Sequence, residues 1–156
     1  MEQVRPLRPL PGFKSLQTHH CVTGSMRHVY VYNDHDVSEE MLLGLGAGVG
    51  FVYWHQKDIP LFNTFIMIDA TGGTGGGLFR TMFGRFLGEA AVITREQRLA
   101  EIGENFRRIG DRWQDAAELF LQASEAADPA GLLPEASALL RELADREENT
   151  WAQLQD

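Results

Sequence analysis

In the carboxy-terminal part of the chain the apolar positions fall into a regular step. Leu99, Ile102, Phe106, Ile109, Trp113, Ala116, Phe120, Ala123 and Ala127 recur at intervals of three and four, which predicts a long amphipathic helix. Asp128-Pro129 ends it, because the residue before a proline is pushed out of helical geometry. Leu132, Ala136, Leu139, Leu140, Leu143, Trp151 and Leu154 make a second stripe, so the two segments are expected to fold back as an antiparallel hairpin. Gly103 and Gly110 stand seven apart: either they let another helix approach closely, or Gly110 with Asp111 marks a break. A further helix is expected from near Leu78, with Phe79, Met82, Phe83, Phe86 and Leu87 on one face and Arg80 and Arg85 elsewhere.

Upstream the pattern is less uniform. Pro6, Pro9 and Pro11 predict an extended arm. Val22, Met26, Val29 and Tyr30 predict a helix from Cys21 to about Tyr32, closed by a turn at Asn33-Asp34-His35-Asp36. Ser38 reads as a helix cap, with Glu39 and Glu40 set against the positive end of the peptide dipoles of a short helix through Met41, Leu42 and Leu43. Glycine alternates with apolar residues from Gly44 to Gly50 and leads into Phe51-Val52-Tyr53-Trp54, a run of strand formers; Phe65-Ile66-Met67-Ile68 is a second candidate strand. The expected fold class is therefore α+β, mostly α. Residues 1–71 form a helix-and-strand portion, the glycine-rich stretch 72–77 a joint, and residues 78–156 a helical region.

Length and composition fit this picture and remove several function classes. A chain of 156 residues with 44% hydrophobic and 23% charged residues supports one ordinary core. The formal net charge of -8 argues against a nucleic-acid partner. No apolar run approaches the ~20 residues that span a bilayer, so no membrane partner is expected. With a single cysteine there is no internal disulfide, and a cytoplasmic setting is the default. Neither glycine-rich stretch fits a nucleotide fingerprint: Val49 and Phe51 stand where the final glycine would be needed, and Leu78 and Phe79 replace the lysine and hydroxyl residue of a phosphate loop. No cofactor is expected.

The candidate chemistry gathers at Thr18-His19-His20-Cys21-Val22-Thr23-Gly24-Ser25. A thiol at a helix start, near the positive end of the peptide dipoles and beside imidazoles, is placed to act as a nucleophile. The plainer reading is a small buried hydrophobe. All five histidines, His19, His20, His28, His35 and His55, lie in the amino-terminal half of the chain. His20 and Cys21 are adjacent, a spacing that disfavours one shared metal, and with no second cysteine no metal site is expected. His28 lies two turns along the helix, too far to serve as base for Cys21. On spacing, His55 is the best remaining partner, against the alternative of an ordinary surface histidine.

His20-Cys21-Val22-Thr23-Gly24-Ser25-Met26-Arg27, followed by Ser38-Glu39 and Gly46-Ala47-Gly48-Val49-Gly50-Phe51-Val52-Tyr53, resembles the amino-terminal domain of the butirosin biosynthesis protein H family over roughly residues 15 to 62. Gly76-Gly77-Leu78-Phe79-Arg80, Phe86-Leu87-Gly88-Glu89-Ala90-Ala91, Glu147-Glu148 and Trp151 are similar to the helical region of the same proteins. The resemblance implies a truncated papain-like amino-terminal portion and a cysteine-dependent acyltransferase of antibiotic biosynthesis. Such a protein moves an acyl group from a carrier-protein thioester to a small amine acceptor, with an acyl carrier protein as partner. On this chain Cys21 would attack the thioester and His20 would belong to the same motif. Members of that family are longer, and their middle region has no counterpart here. No histidine follows His55, so the downstream base of a papain-like site is missing and turnover is expected to be weak or absent. The alternative is a non-catalytic helical module for binding or for self-association as a homo-oligomer.

Overall fold

The computed structural model describes residues 10–47, 59–69 and 76–155. Among these residues six α-helices follow in order: α1 (Cys21–Tyr32), α2 (Glu39–Leu42), α3 (Leu61–Ile68), α4 (Gly77–Thr94), α5 (Gln97–Glu125) and α6 (Leu133–Ala152). A π-helical turn at Leu43–Ala47 extends α2, and a 3-10 turn at Pro129–Gly131 precedes α6.

The described residues contain no strand, which overturns the α+β expectation and with it the truncated papain-like portion. Phe65-Ile66-Met67-Ile68 is not a strand but the second half of α3, which begins after Pro60. Four apolar residues in a row carry no period, so helix and strand cannot be told apart from them alone. Pro60 and the polar Asn63-Thr64 extend the segment to two helical turns, and α5 supplies the surface it packs on. The other expected strand, Phe51 to Trp54, lies outside the described residues, as do His55 and most of the glycine-rich joint.

The bundle is built on two glycine pairs. α4 and α5 run antiparallel, with Gly84 against Gly103 and Gly77 against Gly110. A Cβ on Gly84 would stand 2.5 Å from the Gly103 carbonyl oxygen, and a Cβ on Gly103 2.5 Å from that of Gly84. Glycines seven apart on both helices thus let two backbones touch, which is the first of the two readings the sequence left open for Gly103 and Gly110. Between them Arg95 takes a left-handed conformation (φ 61°), and the amides of both Arg95 and Glu96 return to the Ala91 carbonyl. A glycine would hold this turn without its side-chain penalty. Arg95→Gly should therefore raise stability by about 1 kcal/mol, read as a higher midpoint in urea.

α6 packs along α5, and the stripes interlock: Ile109, Ala116, Leu139 and Leu143 form one buried cluster, Leu87, Ile102 and Phe106 another. Arg80 of α4 grips Glu147 of α6 through two nitrogens at 2.9 and 3.0 Å, and Trp113 of α5 donates its indole N–H to the same carboxylate at 2.6 Å. With the Arg80 guanidinium 5.1 Å over the Trp113 ring, one junction fixes all three helices. The amino-terminal helices sit against α4: the Phe86 ring occupies the space where Gly44 lacks a side chain, the Ser38 hydroxyl donates to Glu89 at 2.7 Å, and Arg85 pairs with Glu40 at 3.0 Å.

Candidate functional site

Cys21 is the first residue of α1, and its side chain is exposed. The residue before it supplies the helix cap. His20 is extended (φ -130°, ψ 137°), and its Nδ1 accepts the Thr23 amide at 3.5 Å, the role that serine or aspartate fills in most helices. The same Nδ1 lies 3.2 Å from the Thr23 hydroxyl oxygen. That hydroxyl spends its proton on Glu39 Oε1 at 3.0 Å, so its oxygen can only accept from His20. With Nδ1 unprotonated, His20 caps the helix; with Nδ1 protonated, a chain of donors runs from His20 through Thr23 to Glu39.

Glu39 is what holds this tip in place. It is 1% exposed, and besides the Thr23 hydroxyl it accepts the His19 amide at 2.8 Å and the His20 amide at 2.7 Å. Burial pushes its carboxyl up, but the two amides, the hydroxyl and the charge of His19 together outweigh burial and hold it below the usual carboxylate range. Sequence reading gave Glu39 a place in the first turn of α2. Its bonds go instead to the start of α1, where they fix the backbone that presents Cys21. Ser38 does cap α2 as its position suggests, accepting the Met41 amide at 2.9 Å.

Three of the four apolar positions that define α1 in the sequence point outward, and Met26 is half-buried. Val22, Val29 and Tyr30 are exposed, while Thr23 and Gly24 are buried. Gly24 is needed there because a Cβ would stand 2.5 Å from the Thr18 hydroxyl of the preceding segment. The His20 ring meets Phe79 of α4 edge-on at 5.1 Å, which ties the tip of α1 to the bundle. Of the predicted site residues, Cys21 and His20 therefore share one tip, with the His20 Nδ1 engaged by Thr23; His55 lies outside the described residues. The residues that sequence reading missed are Thr23 and the true role of Glu39. Both residues lie in the stretches that carry the family resemblance, but for Glu39 helix capping explained the match equally well. No cluster of metal-binding side chains occurs among the described residues, and no helix there is long and apolar enough to cross a membrane.

The structure thus defines a class: a helical bundle, α3 to α6, preceded by a short helical cap that carries an exposed thiol. Residues 55–154 match the family described as Domain of unknown function (DUF4872), and the chain belongs to it. The match covers α3 to α6, whereas α1, α2 and Cys21 precede it. No curated protein and no solved structure matches the chain.

Proposed function

We propose that this chain acts through Cys21 as an acyl-transfer protein of weak turnover. The observation that carries the reading is an exposed thiol at the first residue of a helix whose entry is fixed by a buried carboxylate. The Cys21 sulfur attacks the carbonyl carbon of an acyl thioester, and the bond from that carbon to the donor sulfur breaks. The donor leaves as a thiolate, which takes up a proton. An amine acceptor then attacks the same carbon, the Cys21 thiolate leaves, and the ammonium group loses its proton to solvent. The resemblance of residues 15–62 to butirosin biosynthesis protein H supports a carrier-protein thioester as donor, a small amine as acceptor and a role in antibiotic biosynthesis. A lone cysteine suits the reducing cytoplasm. Weak turnover is expected because no histidine follows His55 in the sequence to act as the downstream base.

Incubation with an acyl thioester followed by intact mass should give one acyl adduct, absent in Cys21→Ala. A folded protein that never acquires the adduct would sink the proposal. The alternative, a non-catalytic helical module, is favoured by the exposed Val22 and Val29 on α1 and by Phe62, Ile66 and Met67 on α3. A mass that stays monomeric by light scattering across a wide concentration range removes self-association from that reading.

A further inference from the structure

The segment that leads into Cys21 lies as a strap along α1. Phe13 stacks on the His28 ring at 5.6 Å and also meets Tyr32 at 6.1 Å. The Leu16 amide donates to His28 Nε2 at 2.9 Å, Thr18 fills the gap at Gly24, and the amides of His19 and His20 end on Glu39. His28 is held from both sides in one proton state. Its Nδ1 lies 2.7 Å from the Gly24 carbonyl oxygen, which can only accept, and its Nε2 faces an amide, which can only donate. The ring is therefore neutral, with its proton on Nδ1.

We propose that His28 is an acid-released clasp for this strap. A proton on Nε2 turns the acceptor into a second donor facing the Leu16 N–H, so the bond is lost and two like dipoles confront each other. Histidine is the side chain that ordinarily changes charge between about pH 5 and 8. The ring itself meets Phe13, the Leu16 amide and the Gly24 carbonyl. On its own helix the neighbouring charge is Arg27; the ionisable groups on the elements packed against α1 are Lys14, His19 and His20 of the strap and Glu39 and Glu40 of α2, the π-helical turn carrying none. Glu39 is occupied by the His19 and His20 amides, and Glu40 pairs with Arg85. The strap thus has two anchors of different chemistry. Glu39 anchors the strap through the His19 and His20 amides, bonds in which the His28 ring takes no part. Acid frees residues 13–18 while the His19 and His20 amides stay on Glu39, and the chain entering Cys21 loosens upstream of the thiol.

Hydrogen exchange of the Leu16 amide, corrected for its intrinsic rate, tests this in the full chain. Between about pH 7.5 and about pH 5 the Leu16 protection should fall roughly tenfold, while Phe106 and Ile109 in α5 keep theirs. In His28→Phe, which retains a ring against Phe13, Leu16 should be unprotected at both pH values. Wild-type protection that does not change with pH, or the same pH response in His28→Phe, overturns the clasp. The reading uses no acyl donor, so it stands or fails independently of the chemistry at Cys21.

Discussion

Gly103→Ala lowers stability by on the order of 2 kcal/mol, even though alanine is the better helix former by about 1 kcal/mol. The new methyl group would stand 2.5 Å from the Gly84 carbonyl oxygen and 3.1 Å from the Leu87 Cβ. A backbone oxygen cannot rotate aside as a side chain would, so α4 and α5 must separate, and the contacts of Leu87, Ile102 and Phe106 loosen along the seam. Gly88→Ala is the matched control. It lies on the same helix as Gly84, but nothing stands within 4 Å of its added Cβ, so only the helix preference acts and stability rises by about 1 kcal/mol. Thermal unfolding of the two variants should move in opposite directions from wild type. A Gly103→Ala midpoint equal to or above that of Gly88→Ala would show that the helices do not meet at these glycines.

The second large effect is at Glu39. Glu39→Ala leaves the His19 and His20 amides and the buried Thr23 hydroxyl without their shared acceptor, and the loss is on the order of 3 kcal/mol. For a chain of this length that lowers the unfolding midpoint by roughly 10 °C. Glu39→Gln loses less, because one side-chain oxygen remains to accept. It should also change the pH response. The Glu39 carboxyl releases its proton more readily folded than unfolded, so its contribution is fully present above the usual carboxylate value and is lost as pH falls through the lower folded value. Urea titrations at descending pH should show a steeper loss of stability in wild type than in Glu39→Gln. Parallel curves would mean that this carboxylate gains nothing from its charge.

Much of the helical region was legible in the sequence because its periodicity and its stops are local. Ile102, Phe106, Ile109, Ala116 and Ala123 of the first stripe are buried, as are Ala136, Leu139 and Leu143 of the second, and the chain turns at Asp128-Pro129. The same rule misled at α1, where Val22, Val29 and Tyr30 keep helical spacing yet face outward. A period reports which residues share a face, not which face is covered, and here the strap, Glu39 and the small Gly24 decided that. The strand expected at Phe65 to Ile68 failed for a related reason: an apolar run shorter than its helix carries no period of its own.

The candidate site divides along the same line. That Cys21 begins a helix could be read from the residues around it, but its exposure and its support could not. Glu39 is 19 residues from His20 and 16 from Thr23, and no local rule links an acid in one helix to the amides that enter another. By itself the sequence determined α1, the amphipathic stripes of α5 and α6 and the stop at Asp128-Pro129, because those depend on neighbours within a turn or two. The tertiary structure decided which faces are buried, which glycines are contact points and which carboxylate holds the thiol's backbone. Those depend on groups that only folding brings within hydrogen-bond or van der Waals distance.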